Sequence, residues 1–171
     1  MKACLDVQYG EKDALAACVL FSEWSDAAPK HEIVQRVENP EPYEPGAFYR
    51  RELPCLLVVL GLVHTKVPVF ARELEVVLVD GYVWLDHEKT HKGIGAHLHE
   101  ALGVPVIGIA KTAFKGSDFA SKVVRGDSAK PLFVTSVGID LQVAAQKVKE
   151  LHGPFRLPTI VKRADRLARG D

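Results

Sequence analysis

Three carboxylates stand where a chain would ordinarily place neutral residues. Asp6 lies inside an apolar run, Ala3-Cys4-Leu5-Asp6-Val7, and Asp80 closes another, Leu74-Glu75-Val76-Val77-Leu78-Val79-Asp80-Gly81. Glu52 heads a third apolar stretch within Arg50-Arg51-Glu52-Leu53-Pro54. Ionised carboxylates are costly to bury unless paired or bound to a metal. Converging at the mouth of one sheet, the three would make an oxygen-rich site for Mg²⁺ or Mn²⁺. Phosphodiester hydrolysis needs such a constellation. Lys111 follows the apolar run Val104-Pro105-Val106-Ile107-Gly108-Ile109-Ala110. An ammonium there would neutralise a phosphate or the charge of a transition state.

Each residue taken singly has an ordinary explanation. A strand aspartate can be an edge charge or the partner of a buried arginine. A glutamate early in a helix suits the helix dipole, and Asp-Gly after a strand is a common turn. Lys111 could be a snorkelling lysine. Asp80 is the strongest candidate, because its run reads as a strand buried on both faces. Open α/β sheets place ligands at such strand ends. Gly108, in mid-strand, points to close approach of another backbone or a ligand.

Positioning these side chains requires a mixed α/β fold. The pattern predicts strands over 2–9 and 13–23, with Ala3, Leu5 and Val7 on one face of the first and Cys4, Asp6 and Gln8 on the other. A third strand fits 31–38. The segment Asn39-Pro40-Glu41-Pro42-Tyr43-Glu44-Pro45-Gly46 is irregular. A helix is predicted from about 49 to 64 with Pro54 in its first turn, which puts Glu52 at or just before the helix N-terminus. Strands over 74–80, 104–110 and 131–136 then alternate with helices over about 92–102 and 140–151, Asp140 capping the latter. The tail beyond Pro154 ends in a basic helix-like stretch. Three meandering strands followed by alternating helices and strands match the order of an RNase H-like mixed sheet flanked by helices.

The 171 residues suffice for one domain, 1–171, with its own core. Formal net charge is zero, from 22 basic and 22 acidic residues, so overall charge neither favours nor excludes nucleic acid. Basic residues gather locally instead, at Arg50-Arg51, from Lys111 to Lys130 and from Lys162 to Arg169. No apolar run spans a membrane and no signal-peptide pattern opens the chain, so a cytoplasmic location is expected; a monomer is a separate expectation. Cys4, Cys18 and Cys55 lack zinc-ligand spacing and read as reduced, buried small hydrophobes. The histidines, including His87, His91, His97 and His99, form no zinc pattern.

Taken in order, the segments resemble the endonuclease V family, which recognises deaminated purines, chiefly inosine, in nucleic acid. The resemblance rests on Leu5-Asp6-Val7-Gln8-Tyr9, Pro42-Tyr43-Glu44-Pro45-Gly46, Phe48-Tyr49-Arg50-Arg51-Glu52-Leu53-Pro54 and Val79-Asp80-Gly81. It continues through Gly93-Ile94-Gly95-Ala96-His97-Leu98, Pro105 to Thr112, and Arg156-Leu157-Pro158 to Asp165. It implies that Asp6 and Asp80 bind Mg²⁺ or Mn²⁺ and that Glu52 completes the metal site. Lys111 would contact the reacting phosphate or orient water, and Asp165 would lie near the metal. Tyr43 would belong to a wedge that holds the strands apart, Gly81 would line the base pocket, and Pro45, Gly46 and Lys162 would contact substrate.

The implied reaction is cleavage 3′ of the lesion in DNA or RNA. Residues 82–92 depart from the family pattern, lacking its His-Pro-Arg, and Lys162 replaces an arginine. These departures keep two alternatives open: a nuclease of this fold with altered specificity, and a non-catalytic nucleic-acid-binding protein.

Overall fold

The order of apolar runs produces one seven-stranded sheet with helices on both faces. The computed structural model describes residues 1–114 and 116–171. Strands β1 (Lys2–Tyr9), β2 (Asp13–Phe21) and β3 (His31–Glu38) form an antiparallel meander. Helices α1 (Phe48–Lys66) and α2 (Phe70–Glu73) lead to β4 (Val76–Asp80). Then come α3 (Ile94–Leu102), β5 (Val106–Ala110), β6 (Ser121–Val123), β7 (Leu132–Val137), α4 (Leu141–Glu150) and α5 (Thr159–Ala168). The sheet order is β3-β2-β1-β4-β5-β7-β6.

The parallel strands β1, β4 and β5 lie side by side at the centre. Their apolar runs are continuous because both faces are covered. Ala3, Leu5, Val77 and Val79 join one core with Cys55, Leu56 and Val59 of α1 and Leu98 of α3. Cys4, Val76, Leu78 and Ile107 join the other with Val148 of α4 and Ile160, Val161 and Ala164 of α5. The three cysteines are free and buried, as their composition suggested. Among the described residues no helix is long and apolar enough to cross a membrane.

Apart from the short helix α2, which the sequence reading did not include, two features differ from it. Pro54 is the seventh residue of α1 and so lies in its second turn, and Glu52 is the fifth rather than preceding the helix. The helix tolerates Pro54 because the ring sits on its exposed side. The cost is the N–H that would otherwise reach the Arg50 carbonyl. The second difference is β6, a three-residue edge strand too short to leave a periodic signal. Asp140 caps α4 as expected, accepting from the amides of Gln142 (2.9 Å) and Val143 (3.1 Å).

Gly108 is required by close approach. A Cβ there would fall 2.6 Å from the Gly81 carbonyl oxygen, 2.8 Å from Thr135 Oγ1 and 2.9 Å from the Val83 nitrogen. The chain leaving Asp80 crosses directly over β5, and Val83 N–H donates to Thr135 Oγ1 at 2.8 Å. Gly108→Ala is therefore expected to destabilise the protein by about 1–3 kcal/mol, as overpacking does. A melting temperature equal to wild type would show that residues 81–83 do not pack there.

Candidate metal and phosphodiester site

The site follows from strand register. Leu5 pairs with Val79 across the parallel β1–β4 ladder, so Asp6 and Asp80 emerge side by side at the strand ends. Alternation sets their direction. Cys4 and Leu78, two residues before each, face α5 and its core, so Asp6 and Asp80 point the same way. Helix α5 supplies Asp165 to that side. One carboxylate oxygen from each of Asp6, Asp80 and Asp165 lies within 4.8 Å of the others.

Lys111, just beyond β5, is inserted among them. Its Nζ donates to Asp80 Oδ2 at 2.6 Å and to Asp165 Oδ1 at 3.1 Å. Burial opposes the ammonium charge, but the hydrogen bonds to Asp80 and Asp165 hold its pKa above the lysine value. Burial likewise opposes the charge of Asp165. Hydrogen bonds from Arg169 (Nε to Oδ2, 3.0 Å) and from Lys111 outweigh it and keep that carboxyl below its ordinary value.

Asp6 and Glu52 are less well compensated. Among the described residues Asp6 accepts only its neighbour's amide, Val7 N–H to Oδ1 at 2.8 Å. Burial, then repulsion from Asp80, pushes its pKa up to about 6. Glu52 is 6% exposed. Burial, then the charges of Asp6 and Asp80, raises it to about 8.

The donor set fits a hard divalent cation. It consists of carboxylate oxygens only, as Mg²⁺ or Mn²⁺ prefers, and their mutual repulsion falls when positive charge enters. Asp6, Asp80 and Asp165 would hold such an ion. Glu52 stands outside the group of three but close enough to feel two of its charges.

A cleft of about 230 Å³ opens beside this cluster. Its lining includes Glu52, Asp80 and Gly81 as well as Gly46, Leu85, Lys92 and Ile94. Gly46 and Gly81 line the same cleft. Tyr43 and Pro45 are exposed on the proline-rich segment, with the Tyr43 ring 6.1 Å from that of Phe48. Lys162 lies elsewhere, on α5, with Nζ 5.8 Å from the Phe155 ring.

Sequence reading missed three contributors. Arg169 sits four residues after Asp165, a helical spacing that was available as a signal. Leu85 and Lys92 reach the cleft only because the 82–92 segment folds back, with Leu85 N–H donating to the His91 carbonyl. Nothing local announces that.

The comparisons with known proteins establish the family and the fold. The family profile described as Endonuclease V matches residues 1–166. The chain belongs to the endonuclease V family. Endonuclease V of Thermococcus kodakarensis is 34% identical over 172 residues, covering 97% of this chain and 76% of the relative. That of Nocardia farcinica is 34% identical over 188 residues, covering 98% and 79%. The crystal structure of Ciona intestinalis endonuclease V, in complex with a 24mer DNA containing an inosine followed by a ribo-adenosine, superposes with a TM-score of 0.82. It is 21% identical and covers 99% of this chain and 84% of that one. The sheet is therefore that of the RNase H-like fold, and the family is one of metal-dependent nucleases that hydrolyse phosphodiester bonds.

The raised carboxyls give the metal-free protein a defined pH response. A carboxyl raised on folding keeps its proton in the folded state, so stability is fully present below the unfolded value and falls as pH rises through the folded one. Glu52 therefore destabilises the metal-free protein progressively up to about pH 8, and Asp6 up to about pH 6. Asp165, shifted down, acts in the opposite sense at lower pH. In a chelator, the melting temperature of wild type is expected to fall between pH 6 and 8.5, and that of Glu52→Gln to stay nearly flat. Parallel curves for the two proteins would remove Glu52 from the charged cluster.

Proposed function

We propose that this protein is a Mg²⁺- or Mn²⁺-dependent endonuclease that hydrolyses a phosphodiester on the 3′ side of inosine, or of another deaminated base, in DNA or RNA. One observation carries the reading: Asp6, Asp80 and Asp165 converge with Lys111, and Asp80 also lines a cleft together with Glu52 and Gly81. At about 230 Å³ that cleft is smaller than sites for drug-sized ligands and suits a single nucleobase. The inosine-containing DNA bound by the Ciona relative supports the choice of base.

Each side chain has a task in this scheme. Asp6, Asp80 and Asp165 hold the cation and Glu52 completes the acidic site, losing its proton as positive charge arrives. When bound, such a cation supplies Lewis-acid stabilisation of the reacting phosphate and makes water more acidic. Lys111, already between Asp80 and Asp165, offers its ammonium to a phosphate oxygen. Gly81 and Gly46 let the base approach backbone, while Tyr82, Leu85 and Ile94 exclude water from it. Tyr43, on the stiff segment containing Pro42 and Pro45, wedges between bases as the target leaves the stack. Lys162 takes a strand phosphate.

The 82–92 segment favours a second reading. Leu85 and Lys92, both from the stretch that departs from the family pattern, line the cleft. The same metal site would then cut with altered base choice.

End-labelled single-stranded DNA and RNA, each with one inosine and a matched unmodified control, decide between these readings. With Mg²⁺ or Mn²⁺, a cut 3′ of inosine is expected in wild type only. Asp6→Ala and Asp80→Ala should each lower its rate at least about 10²-fold while remaining folded. Equal cutting of the controls would establish the altered specificity. Full activity in either variant would refute the assigned site.

A further inference from the structure

The turn joining α4 to α5 carries an aromatic side chain that the cluster does not use. Phe155 is 67% exposed. On a loose loop that exposure would mean little, but this loop is held firmly. Arg125 is itself buried and donates only to main-chain carbonyls. Nη1 reaches Phe155 at 2.9 Å and Arg156 at 3.4 Å. Nη2 reaches Gly153 at 3.2 Å and also Leu151, and Nε reaches Lys149 at 3.4 Å. Gly126, at φ +57°, packs so tightly beneath that a Cβ would lie 2.3 Å from the Pro154 carbonyl oxygen and 3.1 Å from Phe155 Cα. The loop backbone is thus fixed from below, and the ring is held outward.

The neighbouring residues tie this ring to the reaction site. Arg156 turns inward and donates from Nη2 to the carbonyls of Lys111 and, at 2.9 Å, of Pro131. The residue after Phe155 is therefore anchored on the backbone of the lysine that enters the carboxylate cluster. On the other side Lys162 holds its Nζ 5.8 Å from the ring centroid. Lys162 and Asp165 are three residues apart on α5 and so are neighbours on the helix surface. An open cleft of about 500 Å³ runs along the ring, lined also by Ser128, Pro154, Leu157 and Asp127.

We propose that Phe155 and Lys162 form a stacking subsite for the base of a nucleotide flanking the scissile phosphate on the cut strand, Lys162 pairing with that nucleotide's phosphate. A rigid exposed ring beside a cation is how single strands are held without regard to sequence, because every base has a π-face. The subsite would fix the strand leaving the carboxylate cluster, separately from the cleft that receives the target base. It rests on the nucleic-acid reading given above, and it concerns the strand rather than the lesion.

The test uses the full-length protein and a single-stranded oligonucleotide with one inosine. 2-Aminopurine is placed at successive positions on either side, and cutting is prevented by supplying Ca²⁺ in place of Mg²⁺. Quenching of 2-aminopurine by stacking is expected at one flanking register in wild type. Phe155→Ala should abolish that quenching and weaken binding about 5- to 150-fold, whereas Phe155→Trp should retain both. The ring is exposed, so the melting temperature should not change. Lys162→Ala should lower the salt slope of binding by about one.

Binding by Phe155→Ala within twofold of wild type, with the quenching pattern intact, would overturn the subsite. Loss of quenching at the target base alone would do the same, by placing the ring in the base cleft. An adenine-for-inosine oligonucleotide separates this from the reading of base choice. Equal wild-type binding to both oligonucleotides, with the Phe155 effect preserved, would support the subsite and count against inosine preference. No wild-type binding to either would count against both.

Discussion

Repulsion among carboxylates at the end of the central sheet is the constraint on which this structure turns. Asp6, Asp80 and Asp165 bring three carboxyl groups to one place with Glu52 close by, and burial makes the charges of Asp6 and Glu52 more expensive. Lys111 and Arg169 answer only part of it, chiefly at Asp80 and Asp165. Burial first, and then the remaining repulsion, raises the pKa values of Asp6 and Glu52. A fold selected for stability alone would have no use for that arrangement. A site that receives a divalent cation does, because positive charge turns the repulsion into coordination.

The surrounding architecture holds these groups still. Two cores press on opposite faces of β1, β4 and β5, so the strand ends cannot drift apart without opening packed apolar contacts. The chain leaving Asp80 is pinned over Gly108 by Thr135, which fixes Gly81 and the wall of the cleft. Arg125 and Arg156 perform a similar service below α5, clasping main-chain carbonyls so that the helix bearing Asp165 starts from a rigid turn. Polar groups that look incidental in the chain thus determine where the reactive ones stand.

Much of this was legible in the sequence, and for identifiable reasons. The runs around Asp6 and Asp80 announced buried strands, because continuous apolar stretches of that length have few other uses. Their acids were conspicuous against that background. The proline-rich segment from Asn39 to Gly46 announced an irregular loop, and Asp140 announced a helix start. The place of Glu52 was misjudged, since the rule that proline belongs in a first turn failed where the ring faces solvent. β6 was too short to register, and its strand character comes from pairing with β7.

What the sequence determined by itself was the inventory: which segments are apolar and periodic, and which polar residues interrupt them at a cost. That is local information, set by side-chain type and spacing. Which of those polar residues meet was decided by tertiary structure. Asp165 joins Asp6 and Asp80 because alternation turns both acids toward the face that α5 covers, and no local signal says which helix covers which face. Leu85 and Lys92 reach the cleft, and Phe155 is held beside Lys162, through loops whose paths are set by distant carbonyls and one close backbone crossing. Contacts between residues far apart in the chain arise only once the sheet has closed, and the chemistry of this protein is made of such contacts.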